Sequence, residues 1–289
     1  MSNAIMQLGL IGEGNWGRNY VTTIAQLSSC NLKTVATRSN GNDWKEMCQD
    51  PEIQGVIIAT PPQVHFEMAE YALEQGKHII VEKPFVYTGD EAKDISDAKR
   101  IEALAKEKGL NVLVGNLNLF NLAFLKMRNI FQELNTGEHP IYINSLGGNW
   151  GPFKEDYPGF IDYSPHEFAM LLALVPASGF EIQCIGNPYQ LSVQIDFEGG
   201  SAVISSGSMM PQKSRSVSIQ IGDDCLIFDD LAKDKLTHNG RPVEVKHTMP
   251  LTNLVAKFCD AIRSEEVRYN AASDVLAMQM MYACLEQVV

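Results

Sequence analysis

The chain has 289 residues, 45% of them apolar and 20% charged, with a formal net charge of −12. That length suits about two domains, and the composition is ordinary for a soluble globular protein. The acidic balance excludes nucleic acid and anionic membrane as general partners, since both select basic patches. No apolar run approaches a membrane span and no charged-then-apolar leader opens the sequence, so a cytoplasmic protein is expected. Residues 1–4 are given no structural weight.

Residues 7–11 read as a short apolar strand, followed at once by Gly12-Glu13-Gly14-Asn15-Trp16-Gly17 and then a helix over about 16–27. This is GxGxxG between a strand and a helix. The first glycine permits a tight turn, the second lets backbone approach a pyrophosphate, and the third lets helix and strand pack closely. Amides at the helix N-terminus then face the phosphates, so the spacing predicts a dinucleotide cofactor. A second strand, 32–37, ends in Ala36-Thr37-Arg38-Ser39-Asn40, without the acid that would hold the ribose 2′-hydroxyl of NAD. Arg38 and Ser39 suit a 2′-phosphate, which favours NADP(H) over NAD(H); the plainer reading of Arg38 is a solvated turn residue.

A short polar connection, 40–54, leaves room for a stunted helix around 44–48, and a strand over 56–60 ends at Pro61-Pro62. Val64, Met68, Tyr71 and Ala72 form the stripe of an amphipathic helix that stops at Gly76. The apolar run 79–81 leads into Glu82-Lys83-Pro84, and a helix over about 90–108 closes at Gly109 before a further strand, 111–114. Alternating strands and helices of these lengths give a doubly wound parallel sheet, the α/β Rossmann arrangement. Ligands in such sheets bind at the carboxyl ends of the strands, so Lys83 at a strand end is either catalytic or a solvated charge.

Beyond residue 118 the pattern changes. A helix over about 122–134 precedes a strand, 141–147, and 148–160 is a loop rich in glycine, proline and aromatics, read as a substrate wall or as a surface excursion. In Asp162-Tyr163-Ser164-Pro165-His166-Glu167, Ser164 suits an N-cap, Pro165 the first helical position, and Glu167 completes an S-x-x-E capping box. Phe168, Leu171, Leu172 and Val175 then form the buried stripe, placing His166 in the first turn away from it. The positive helix end favours a neutral imidazole there, and Asp162 pushes the other way. Leu191, Val193, Ile195 and Phe197, then Val217, Ile219 and Ile221, alternate with polar residues, which predicts antiparallel strands with one apolar face. Their other face, rich in Ser and Gln, is either a subunit interface or solvent-exposed. Leu254, Phe258, Ala261 and Ile262 mark a late helix, and a last one covers about 272–287.

The six cysteines, Cys30, Cys48, Cys184, Cys225, Cys259 and Cys284, form no CxxC pair. Reduced, mostly buried thiols are expected, with no disulfide framework and no metal site. His65, His78, His139, His238 and His247 lack convergent partners in the sequence and read as structural or surface residues.

Four segments resemble the glucose–fructose oxidoreductase / inositol dehydrogenase / rhizopine-catabolism (Gfo/Idh/MocA) family: GEGNWGRN at 12–19, ATPPQVH at 59–65, GKHIIVEKP at 76–84 and D-x-x-x-H at 162–166. The resemblance covers nearly the whole chain. It implies a Rossmann domain over 1–118 and a substrate-binding and oligomerisation domain over 119–269. The second is an α+β domain with a mostly antiparallel open sheet, and the helix at about 270–289 returns to the first. It implies a catalytic set of Lys83, Asp162 and His166. Cofactor contacts are expected from Gly12, Gly14, Asn15, Trp16, Gly17, Arg38, Ser39, Thr60, Pro61, His65, Glu82, Lys83 and Asn116. The sequence departs from the family pattern in three places. The acid after the second strand is absent, Ala169 stands where many members carry an acid three residues after the histidine, and 115–121 lacks the arginine of many sugar dehydrogenases.

The expected chemistry is hydride transfer between a nicotinamide cofactor and a secondary alcohol carbon of a sugar, cyclitol or nucleotide sugar. The segment 14–19 is similar to members working on nucleotide sugars or polysaccharides. His166 is expected to take the hydroxyl proton, Lys83 to stabilise the alkoxide, and Asp162 to orient the substrate or His166. Two other readings stay open: a glycosidase or lyase that uses its nicotinamide for transient oxidation, and a non-catalytic NAD(P)-sensing regulator. The resemblance further implies a homodimer or homotetramer formed through the second-domain sheet.

Overall fold

A computed structural model of the chain describes residues 5–39, 41, 43–154 and 157–288. Residues 1–4, Asn40 at the tip of the second strand, and Glu155 and Asp156 of the aromatic loop lie outside the described residues. The chain forms two compact units, Met1–Gly115 with Met249–Val275, and Asn116–Thr248 with Leu276–Val289.

In the first unit the elements run β1 (Met6–Ile11), α1 (Gly17–Ile24), β2 (Cys30–Ala36), α2 (Trp44–Gln49), β3 (Gly55–Ile58), α3 (His65–Glu74), β4 (His78–Val81), α4 (Glu91–Lys108) and β5 (Val112–Val114). The five strands pair in parallel in the order β2-β1-β3-β4-β5. This is the expected Rossmann sheet. All four residues of β3 and all three of β5 are buried, as suits strands covered on both faces. Helix α4 starts where Asp90 accepts from the Lys93 amide and ends at Gly109, whose φ of 67° is the left-handed conformation glycine adopts freely. The buried face of α3 is rotated by one position from the expected stripe: His65, Ala69, Ala72 and Leu73 are buried, while Val64, Met68 and Tyr71 are half-buried. Tyr71 instead packs edge-on against Trp44, with ring centroids 5.3 Å apart.

The second unit contains α5 (Leu122–Leu134), β6 (Ile141–Trp150), α6 (Gly159–Tyr163), α7 (Pro165–Leu172), β7 (Glu181–Asn187), β8 (Gln190–Phe197), β9 (Gly200–Gly207), β10 (Met209–Ile221), β11 (Asp224–Asp229), β12 (Leu236–His238) and β13 (Arg241–Pro242). These strands form one sheet in the order β13-β12-β11-β10-β6-β9-β8-β7, antiparallel except for the β6–β9 pair. The alternation along β8 and β10 holds: Leu191, Val193, Ile195, Val217 and Ile219 are buried, with their neighbours on the opposite face.

The last two helices divide differently from the expected boundary at residue 269. Helix α8 (Pro250–Arg263) belongs to the first unit. A Cβ added at Gly55 would lie 2.7 Å from Cε1 of Phe258, so the ring packs directly on the β3 backbone. The segment after α8 is tied to β5. Asn111 Oδ1 accepts from the amides of Arg268 and Tyr269, Asn111 Nδ2 donates to the Glu266 carbonyl, and the Val112 amide donates to the Tyr269 carbonyl. Helix α9 (Ala272–Glu286) returns to the first unit only in its first turn, and from Leu276 it belongs to the second. Ala277, Met278, Met280, Met281, Cys284 and Leu285 are buried over most of its circumference, and Gln279 and Glu286 are exposed on the narrow face that remains. No helix among the described residues is long and apolar enough to cross a membrane.

Candidate active site

In the first unit the Gly12–Gly17 turn lies between β1 and α1. Gly12 has φ +92°, and a Cβ there would lie 2.7 Å from the Ala59 carbonyl oxygen. A Cβ at Gly17 would lie 2.1 Å from the Gly12 carbonyl oxygen, whereas one at Gly14 would meet nothing within 4 Å. The turn is therefore packed to backbone limits on its inner side and open at its middle glycine. That combination fits the pyrophosphate of a dinucleotide approaching the α1 amides. Asn15 and Trp16 are exposed on the turn, and Arg38 and Ser39 are exposed beyond β2, where the Thr37 and Ser39 hydroxyls lie 3.1 Å apart.

At the end of β4, Glu82 is buried and Lys83 half-buried. The Tyr20 hydroxyl donates to Glu82 Oε1 at 2.7 Å, and the Lys83 amide to Oε2 at 3.3 Å. Burial pushes the Glu82 carboxyl up against the opposing pull of Tyr20, Trp16 and Lys83. The same contact, after burial, holds the Tyr20 hydroxyl well above its ordinary range. Gly115 makes room for this carboxyl, because a Cβ there would lie 2.8 Å from Oε1. Glu82 thus binds the end of β4 to α1 and to the glycine turn. Tyr20, which the sequence reading did not single out, is the residue that makes this link; its one signal was a polar atom on the buried stripe of α1.

His65 is fully buried. Its Nδ1 lies 3.0 Å from the Pro84 carbonyl and 3.2 Å from that of Phe85, and its Nε2 lies 2.9 Å from that of Thr60. Burial pushes its pKa down. Both ring nitrogens are engaged with backbone, so His65 joins the turn at Thr60 and Pro61 to the segment after Lys83. Thr60 is half-buried and Pro61 exposed on that turn.

In the second unit, Asn116 is buried just after β5, Asp162 lies in α6 and His166 in the first turn of α7. Asp162 is 7% exposed and pairs with Lys154 Nζ at 2.9 Å. Half-burial pushes the Lys154 ammonium down, but Tyr157 and Asp162 outweigh it and raise its pKa. The Tyr163 hydroxyl donates to the Gly151 carbonyl at 2.8 Å, which ties the loop before α6 to α6 itself. His166 is half-buried, away from the buried Phe168 and Leu171.

The expected capping box is not formed. Helix α6 runs straight into α7, so Ser164 has helical φ/ψ, and its hydroxyl donates back to the Phe160 carbonyl at 2.6 Å. Glu167 reaches away from the N-cap to accept from the Ser145 hydroxyl of β6. Its carboxyl is fully buried, and burial raises its pKa to about 7 despite Ser145 and Arg215. Gly147 is the reason it fits: a Cβ there would lie 1.8 Å from Glu167 Oε1. Among the described residues, no group of three or more His, Cys, Asp and Glu could hold a metal ion.

Comparison with known proteins places these features. Residues 30–116 match the model of the oxidoreductase family GFO_IDH_MocA, described as an NAD-binding Rossmann fold. Over 179 residues the chain is 29% identical to scyllo-inositol 2-dehydrogenase (NAD(+)) of Bacillus subtilis, covering 55% of this chain and 50% of that one. The matches to the first curated relatives span 32% to 56% of their length. A structure from Magnetospirillum magnetotacticum MS-1, assigned only provisionally as an oxidoreductase, superposes with a TM-score of 0.83 at 27% identity, covering 97% of this chain and all of that one. UDP-N-acetylglucosamine 3-dehydrogenase of Acidithiobacillus ferrooxidans shares the fold, with a TM-score of 0.84 at 19% identity over 99% of this chain and 98% of that one. Over residues 30–116 the chain carries the NAD-binding Rossmann fold of the Gfo/Idh/MocA oxidoreductase family, and its separate, mostly antiparallel sheet completes a fold shared with the structures above.

Proposed function

We propose that the protein is an NAD(P)-dependent dehydrogenase acting on a secondary alcohol of a sugar, cyclitol or nucleotide sugar, or on the matching ketone. The observation that carries this reading is in the first unit. The Gly12–Gly17 cradle and Lys83 both stand at the carboxyl ends of strands of one parallel sheet, where such sheets bind ligands. The relatives named above, one acting on scyllo-inositol and one on UDP-N-acetylglucosamine, support the substrate class.

A bound nicotinamide supplies the hydride acceptor or donor. In the proposed reaction the His166 imidazole removes the hydroxyl proton as the C–H bond is broken. The Lys83 ammonium stabilises the oxygen on which negative charge develops, and Asp162 orients the alcohol. Arg38 and Ser39 hold the 2′-phosphate of NADP(H). Replacing Lys83 by Met and, separately, His166 by Ala should abolish turnover while cofactor affinity stays within a few-fold. Near-wild-type rates in both variants would overturn the assignment. Stoichiometric change of nicotinamide absorbance separates a dehydrogenase from an enzyme that regenerates its cofactor in each cycle.

The reading includes self-association through the sheet of the second unit. On the face opposite the buried alternation, the central strands present Tyr142, Asn144, Val203, Ser218, Gln220 and Ile227, and none of these is charged. Tyr142 is 54% exposed, Val203 40% and Ile227 41%. A second copy of the chain is the proposed cover. Sedimentation should find a dimer or tetramer that Val203→Glu dissociates; a monomeric wild-type protein would refute it.

A further inference from the structure

His65, the first residue of α3, has three main-chain carbonyl groups around its buried ring. Nε2 lies 2.9 Å from the Thr60 carbonyl oxygen, and Nδ1 lies 3.0 Å from that of Pro84 and 3.2 Å from that of Phe85. A carbonyl oxygen only accepts, so each contact is a hydrogen bond only where the ring nitrogen carries a hydrogen. Neutral imidazole has one N–H, and imidazolium has two. The carbonyl groups belong to two different segments. Thr60 stands in the turn after β3, whereas Pro84 and Phe85 follow Lys83 beyond β4. A neutral ring can hold either segment; only a doubly protonated ring holds both.

We propose that His65 is a positioning residue, a clamp that takes up a second proton to fasten the Thr60–Pro61 turn to the Lys83–Phe85 segment. The inference rests on the proposed dehydrogenase reading, in which Lys83 acts on the substrate and the Thr60–Pro61 turn meets the cofactor. The neutral ring keeps its hydrogen on Nδ1, where two carbonyl groups share it, and leaves the Nε2 lone pair facing the Thr60 oxygen. Two acceptors at hydrogen-bond distance repel, so this side of the clamp closes only when Nε2 is protonated. Closure and cofactor binding are linked: protonation raises cofactor affinity, and bound cofactor raises the proton affinity of His65 by the same factor.

Charged neighbours do not supply the switch. The titratable side chains on the segments packed against α3 are Glu82, Lys83, Tyr87 and Asp94, with Lys45 on α2, Lys93, Asp97 and Arg100 on α4, and Glu67 and Glu70 on α3 itself. Glu82 accepts from Tyr20, Asp94 from Thr88 and Gly89, Lys45 pairs with Glu67, Lys93 with Asp97 and Arg100 with Glu70. What acts on the ring is burial, which holds it below the ordinary value of 6.5, and the Thr60, Pro84 and Phe85 carbonyl groups, which pull it back up. The open form therefore prevails in mild alkali, and acid closes the clamp.

The test records long-range proton–nitrogen spectra of the full-length protein carrying nitrogen-15 histidine, from about pH 8 to about pH 5.5, with and without NADP+. The His65→Gln variant assigns the signals. The expected result is one ring hydrogen on His65, at Nδ1, in alkali and two in acid, with the change moved to higher pH by saturating NADP+. In fluorescence titrations the ratio of wild-type to His65→Gln affinity for NADP+ should rise a few-fold to about tenfold over the same range, the worth of one net hydrogen bond. A single ring hydrogen at every pH, two at every pH, or a transition that saturating NADP+ leaves in place would overturn the proposal. Should His65→Gln fail to fold, the wild-type spectra decide alone. Failure of the protein to bind any nicotinamide dinucleotide would instead refute the dehydrogenase reading, while the spectra without cofactor still report whether His65 takes its second proton.

Discussion

Ser145 donates its hydroxyl hydrogen to Glu167, one residue from His166, in a position sealed from solvent. The carboxyl ionises at about 7 when folded, against 4.5 for an ordinary glutamate. The folded state therefore holds a proton that the unfolded chain releases. This contribution to stability is complete below pH 4.5 and is lost as the pH rises to about 7, a span worth ~3 kcal/mol. Denaturant unfolding at a series of pH values should show that decline in the wild type and its absence in Glu167→Gln, which keeps a hydrogen-bonding oxygen without the titration. Parallel profiles for the two proteins would show that Glu167 is not the titrating group.

The glycines of the cradle should separate by function. Gly14→Ala places its methyl where no protein atom lies within 4 Å, so it should change stability by less than about 0.5 kcal/mol while weakening cofactor binding at least tenfold. Gly17→Ala, with its methyl 2.1 Å from a carbonyl oxygen, should destabilise the fold itself. Thermal unfolding paired with fluorescence titration of NADPH distinguishes the two, and equal cofactor affinity in Gly14→Ala would remove the middle glycine from the binding site.

Lys154 was not foreseen as a site residue. Its ion pair with largely buried Asp162 predicts that Lys154→Met lowers kcat/KM by about tenfold or more, because removing one partner of a buried pair leaves the other poorly compensated. Cofactor affinity should not change, and Lys154→Arg should restore part of the rate. An unchanged kcat/KM in Lys154→Met would leave this ion pair without a role in turnover.

Phe258 and Gly55 make a pair that a double-mutant cycle can read. Gly55→Ala should cost about 1–3 kcal/mol by overpacking, and Phe258→Leu introduced with it should recover part of that loss. Strict additivity in chemical denaturation would mean that the ring does not bear on the strand.

The sequence reveals most where a local rule governs the outcome. The Rossmann strands are legible because a strand buried on both faces must be an apolar run, and the GxGxxG turn because its backbone admits few residues. The alternation of β8 and β10 reports one covered face equally well. The failures occur where tertiary partners decide. Ser164 and Glu167 satisfy the capping-box pattern, yet α6 supplies a preceding helical turn and Ser145 a better partner. The stripe on α3 is displaced because His65, polar by type, is the residue that three carbonyl groups hold in the interior. Strand β7 escaped notice because at the sheet edge its residues are mostly exposed and carry little alternation. Helix α8 was given to the wrong unit because an apolar stripe states that a helix is covered and not by what.

The return of α8 to Gly55 also bears on how the protein is made. The ribosome delivers β3 early and the Phe258 ring that covers it only after almost the whole second unit, and the second unit in turn waits for α9. Neither unit can close in the order of synthesis, so the nascent chain holds an uncovered apolar strand through most of translation. A fragment ending before residue 249 would keep that strand bare for good, which makes the two units poor candidates for separate expression despite their distinct cores.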